Sequence, residues 1–187
     1  MAKKKTKDFS TDLQEGLKYP WNKAGRLWNI LWVLIPIFGW FALIGYIRTI
    51  TVGLVDGKRK ELPAFGKFWD NFVVGLKLFI YLIPTIIVLS IIAAIPIVGS
   101  ILQLLVSIFL LPWLIINLFV KDEFGALWEI KLAFNSVFDN AKEYILAYIK
   151  TLVYGLIYGI ASLILIGIPC SAFGKYYFLT EFYSKYH

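Results

Sequence analysis

Three adjacent cations, Lys58, Arg59 and Lys60 in the run GKRK, are the side chains best suited to chemistry with a partner. Neighbouring ammonium and guanidinium groups hold anions, and near a membrane each contributes about 1 kcal/mol toward anionic headgroups. Lys67 and Lys77 lie in the same connector and complete the candidate headgroup set. The alternative is that these charges only orient the chain in its membrane, and the sequence leaves both open. Nucleic acid is not expected, because the cations flank apolar segments and no recognition fold accompanies them. Nor is a cofactor or metal: Cys170 is the sole cysteine, and the sole histidine, His187, is the last residue with nothing to hold it. No nucleophile–base pair or phosphate-cradling glycine loop is present, so an enzyme is not expected.

The elements around these cations are almost solid hydrocarbon. Of 187 residues, 59% are hydrophobic and 17% charged, and mean hydropathy is +0.73. A soluble domain is about 45–50% apolar and about a quarter charged, so this chain lacks the polar coat that water requires. Leu27–Ile47 is free of charge for 21 residues and Leu78–Val120 for 43, while residues 144–168 carry only Lys150. About 20 apolar residues cross a bilayer as a helix, so the longest run predicts two helices turning near Ala94–Ser100. The expectation is an all-α membrane protein with about four apolar membrane segments, because only helices satisfy their own backbone in lipid.

The chain then divides into a basic interfacial segment 1–26, a first membrane segment 27–47, a basic connector 48–77 and a helical hairpin 78–120. An amphipathic stretch 121–143, a last membrane segment 144–168 and an aromatic tail 169–187 follow. In ALWEIKLAFNSVFDNA, Leu127, Ile130, Phe134, Val137 and Ala141 recur at helical spacing, with Glu129, Asn135, Ser136, Asp139 and Asn140 mostly opposite. That pattern predicts a helix lying in the interface. A weaker one is expected in STDLQEGLKYPWNKAG. The basic start MAKKKTK has no adjoining apolar core and does not read as a secretory signal.

Charge distribution raises a conflict. Lys3, Lys4, Lys5, Lys7, Lys18, Lys23 and Arg26 precede the first segment, and Arg48, Lys58, Arg59, Lys60, Lys67 and Lys77 follow it. Basic residues mark the cytoplasmic side, yet a single crossing would separate these clusters. One resolution lies in IPIFG, with Pro36 and Gly39, at the middle of the first segment, and IPIVG, with Pro96 and Gly99, at the hairpin apex. Proline stops a helix and glycine permits a turn, so the first segment is expected either to re-enter as a hairpin or to cross with a kink. A third bend is expected near Pro169 in GIPCSAFG.

Gly45, Tyr46 and Arg48, then Leu62, Pro63, Phe65, Trp69 and Asp70, then Gly75, Leu76, Lys77, Tyr81 and Pro84 form an ordered set. This set resembles small prokaryotic membrane proteins, common in archaea, of domain-of-unknown-function family 4013. The resemblance implies a multi-helix, membrane-embedded fold and no established activity. Members usually carry more acids around the leucine–proline, where this chain has Ala64, Gly66 and Lys67.

Phe65, Phe68, Trp69 and Phe72 are expected as buried aromatics of a membrane anchor. Gly155 and Gly159 form a G-x-x-x-G pair expected to pack helices inside the bundle, with dimerisation the alternative. The functional expectation is a non-enzymatic protein of the cell membrane, multi-pass, with a cytoplasmic N-terminus and self-association into a homo-oligomer. It would shape or organise a bilayer of anionic lipids, or scaffold partners. The alternative is a passive channel or transporter subunit, which requires Asn29, Gln103, Asn117 and Lys150 to converge on one path.

Overall fold

A 21-residue apolar run with proline and glycine at its middle can kink or turn back, and in the computed structural model, which describes residues 8–187, it turns back. Helix α1, Phe9–Lys18, leads into an irregular 3₁₀ stretch, Tyr19–Leu34, with Pro20 in its first turn and Lys23 out of helical conformation at φ −139°. The chain reverses at Ile35–Ile37 and continues as α2, Phe38–Val55. At the reversal Ile37 adopts φ 66° and ψ −64°, and the Phe38 N–H donates to the Pro36 carbonyl at 2.7 Å. That is a γ-turn of positive φ, a strained conformation for a β-branched residue. Gly39 is required just after it, because a Cβ there would lie 1.7 Å from the Trp32 carbonyl oxygen.

The same device recurs. Helix α3, Phe68–Ala93, ends at a turn where Ile97 has φ 61° and ψ −64°, and Val98 N–H donates to Pro96 at 2.7 Å. Helix α4, Val98–Leu105, passes through a π-helical turn at Val106–Leu110 into α5, Leu111–Lys121. The short helix α6, Ile130–Phe138, precedes α7, Ala141–Ala161. A third reversal takes Leu165 to φ 64°, after which come α8, Gly167–Gly174, and α9, Tyr177–Tyr186. Pro169 does not make that bend. It lies buried in the first turn of α8, where a missing N–H leaves no helical bond unmade.

The structure is all-α, with no strand among the described residues. Four helical stretches are long and apolar enough to cross a membrane: Phe38–Val55, Phe68–Ala93, Val98–Lys121 and Ala141–Ile164. They are the membrane helices of a multi-pass protein. The first is displaced from the apolar run 27–47, because the γ-turn ends one arm at Leu34 and α2 carries on through Arg48 to Val55.

Helices α2 and α3 pack antiparallel at glycines. A Cβ on Gly75 would sit 1.8 Å from the Phe41 carbonyl oxygen, and one on Gly45 would sit 2.0 Å from that of Asn71. This register places the first turn beside Leu78, so the rest of α3 runs on past it. From Phe79 to Pro112 only Gly99 is buried. The core lies on the other side of Leu78, where Tyr46, Ile50, Leu54, Leu62, Leu118, Tyr154, Phe173 and Tyr183 belong to one buried cluster.

Candidate headgroup-binding site

The connector between α2 and α3 is held carbonyl by carbonyl. Gly57 and Gly66 supply positive φ at its two ends, 81° and 72°. Between them Asn22 Nδ2 donates to the Lys60 carbonyl at 2.6 Å, Arg26 to that of Leu62, Tyr46 Oη to that of Pro63 at 2.8 Å and Asn71 to that of Phe65. Leu62 itself is fully buried. Four donors from three elements thus turn a basic loop into a fixed wall.

The candidate headgroup cations do not form one patch. Lys58 is exposed with Asp56 at 3.6 Å. Arg59 turns inward: it donates to the Tyr177 carbonyl at 3.0 Å, reaches Glu181 at 3.5 Å and lies over the Tyr177 ring. Lys77 Nζ sits 2.6 Å from Asp122, which Arg48 also approaches at 3.5 Å. Lys67 is exposed just before α3. Lys58 and Lys60 alone share a cavity, of about 540 Å³, with Arg26 and Tyr19. Lys23 and Arg26 reach Glu61 at 3.4 and 3.6 Å, so the basic residues on either side of the first apolar run meet on one face. Lys3, Lys4, Lys5 and Lys7 lie outside the described residues.

Other expected positions are placed as follows. Tyr81 packs edge-on against Phe124 at 5.8 Å, and Pro84 lies inside the unburied half of α3. Trp69 is exposed rather than buried, and Phe65, Phe68 and Phe72 are half-buried, because α3 turns its Asn71–Gly75–Leu78 face to the core. Gly155 and Gly159 meet no other helix: nothing lies within 4 Å of a Cβ at either. Close packing falls instead to Gly45 and Gly75. In α6, Ser136 faces the body and donates to the Tyr186 carbonyl at 3.2 Å, while Ile130, Phe134 and Phe138 point outward. The polar face expected at the surface is split, since the aromatic side is left exposed while Ser136 turns inward.

Asn29, Gln103, Asn117 and Lys150 do not share one path. Asn117 is buried with Ala126, Glu129 and Tyr183 as partners. Lys150 pairs with Asp12 of α1, Asn29 lies against the Tyr46 hydroxyl, and Gln103 sits on the unburied hairpin. His187 is held after all, stacked on Tyr183 at 4.6 Å and edge-on to Trp113 at 5.7 Å, and burial lowers its pKa. Among the described residues no group of three or more His, Cys, Asp and Glu could hold a metal ion. Asp12, Tyr19, Asn22 and Asp122 carry no signal in the sequence as partners, because each meets its neighbour only through the fold.

The glycine crossing at Gly45 and Gly75, the Tyr46–Pro63 bond and the Lys77 and Arg48 contacts with Asp122 give physical roles to the ordered set that begins at Gly45. The model of a protein family of unknown function, DUF4013, matches residues 29–170. The chain belongs to this family. No curated protein and no solved structure matches it. The DUF4013 match spans both γ-turns, the stapled connector and α7 and ends at Cys170, so α1 and α9, which both pack against α7, fall outside it.

Proposed function

We propose that this DUF4013 protein is a non-enzymatic membrane protein that organises or shapes the bilayer, with a polar-rimmed body at one surface and an apolar hairpin in the hydrocarbon. One observation carries the reading: Phe79–Pro112 is free of charge, and within it only Gly99 is buried by protein. An uncharged hairpin in which a single residue is buried has no stable place in water. At 1.5 Å per residue the arm Phe79–Ala93 is about 22 Å long, against a hydrocarbon core of about 30 Å.

The remaining elements add volume unequally across the bilayer. The body gathers α2, α5, α7 and α9 around one core, whereas the hairpin is two helices wide. Exposed Trp28, Trp40 and Trp69 suit the headgroup level, where indole rings are enriched. The stapled connector, beside Lys23 and Arg26, faces anionic lipid, and the bias of basic residues puts it and the N-terminus on the cytoplasmic side of the cell membrane. Self-association would multiply the asymmetry.

The test is reconstitution into anionic liposomes with imaging by electron microscopy. Tubes or small vesicles in proportion to protein are expected. Ile91→Asp, which puts a charge on the unburied arm, should weaken the effect. Vesicles of unchanged size and shape at high protein content would sink the reading.

A further inference from the structure

The cavity beside the connector has a property that its surface charge does not explain. Tyr19 forms part of its wall and is 1% exposed, yet its hydroxyl is buried without a hydrogen-bond partner. A buried hydroxyl left unpaired costs on the order of 1–3 kcal/mol, a cost that a bound water, ion or ligand would remove. Burial pushes the Tyr19 pKa up, nearby Tyr46 and Tyr177 add to this, and Arg59 and Arg26 oppose it. The hydroxyl therefore keeps its proton and remains a donor near neutral pH.

The other walls carry cations. Arg26, Lys58 and Lys60 line the cavity against one carboxylate, Glu61. Glu61 is already met by Lys23 and Arg26, at 3.4 and 3.6 Å. Lys60 has no ion pair among the described residues, and the Lys58–Asp56 contact at 3.6 Å is exposed and weak. Gly53 and Gly57 leave the rim open, with nothing within 4 Å of a Cβ at Gly57. The carbonyls of the wall are engaged by Asn22, Arg26 and Tyr46, so acceptors are withdrawn while donors stay available.

We infer that this cavity binds a phosphate group, carried by a lipid headgroup or by a soluble phosphate ester, through Lys58, Lys60, Arg26 and the Tyr19 hydroxyl. Surplus positive charge, spare N–H donors and a neutral hydroxyl suit a tetrahedral anion. The volume of about 540 Å³ admits the phosphate together with a small polyol or headgroup. For a lipid source, the inference rests on the membrane reading above; for a soluble one it does not.

The full chain in neutral maltoside detergent would be titrated by calorimetry with glycerol 3-phosphate, short-chain phosphatidylglycerol and a short-chain diacylglycerol that lacks phosphate. Binding of both phosphate probes places recognition in the phosphate itself, binding of phosphatidylglycerol alone assigns a lipid source, and binding of glycerol phosphate alone a soluble one. In each case Lys60→Gln should raise Kd about ten-fold, the loss of one charge-assisted contact. Tyr19→Phe should raise it several-fold, and Lys67→Gln, outside the cavity, should leave it unchanged. Three results would overturn the inference: neither phosphate probe binding, the phosphate-free diacylglycerol binding equally well, or Tyr19→Phe having no effect while Lys67→Gln weakens binding as much as Lys60→Gln. Vesicle shape does not enter this measurement, so its failure and that of the bilayer-shaping reading are separable.

Discussion

Ile37 and Ile97, sixty residues apart, share one backbone conformation, φ 66° and 61° with ψ −64° at both. Each follows a proline whose carbonyl accepts from the next N–H at 2.7 Å, and each precedes a glycine pressed on a carbonyl of the outgoing arm. The repeated I-P-I-x-G is therefore one structural device used twice, and its residues have separable jobs. Isoleucine at positive φ stores strain, while glycine two positions on makes room.

Ile97→Gly should raise the melting temperature in detergent, since a glycine at positive φ relieves strain on the order of 1 kcal/mol. Gly99→Ala should lower it, by the equivalent of about 2 kcal/mol or more, because the new Cβ would lie 1.9 Å from the Ile92 carbonyl oxygen and backbone cannot swing aside. Differential scanning fluorimetry reads both. A fall with both variants would show that the apex shape is set by something other than this φ.

The glycines make a second contrast. Gly45→Ala and Gly75→Ala each drive a methyl into the partner helix's backbone and should destabilise the protein strongly. Gly155→Ala and Gly159→Ala meet open space and should stabilise by about 0.5–1 kcal/mol, the usual gain of alanine over glycine within a helix. Chemical crosslinking in liposomes is the companion measurement. If the alanines in α7 destabilise and also abolish crosslinked dimers, that face packs against a second copy.

Glu129 sets an acid limit. Hydrogen bonds from Lys121, at 2.6 and 2.7 Å, chiefly hold its pKa below the ordinary glutamate value, with Asn117 assisting and burial opposing. A carboxylate with a lowered folded pKa adds stability that is fully present above its unfolded pKa and lost as pH falls through the folded one. Melting temperature should therefore hold from pH 7 to about pH 5 and drop below about pH 4. Glu129→Gln should flatten that drop, and an unchanged profile would remove Glu129 from the account.

Much of this architecture was legible in the residues. Hydropathy alone separates Leu78–Val120 as two helices, and the proline–glycine pairs locate two of the three reversals. The basic clusters on either side of Leu27–Ile47 raise a returning chain beside a kinked crossing, and in the fold Lys23 and Arg26 do meet Glu61. What was hidden depends on register. Nothing local says that α2 runs on past Arg48, that Gly45 rather than Gly155 is the crossing point, or that Lys150 finds Asp12. The cavity at Tyr19 was equally invisible, since it is built from residues up to 45 positions apart, from Tyr19 to Ala64. Those pairings follow from which faces the packed helices bury.

Asp122 gives the last test. It caps α5 in left-handed conformation, φ 57°, and its Oδ2 meets both Lys77 of α3 at 2.6 Å and Arg48 of α2 at 3.5 Å. One carboxylate thus ties the end of α5 to two helices at the base of the unburied hairpin. Asp122→Asn keeps a residue that tolerates positive φ, so its effect isolates the charge. It should lower the melting temperature by leaving two cations without a counter-charge, and adding Lys77→Gln should recover part of the loss. A double-mutant cycle should give a coupling on the order of 1 kcal/mol, kept small by partial exposure. High salt should shrink it. Strict additivity would mean that the three side chains meet without holding the helices together.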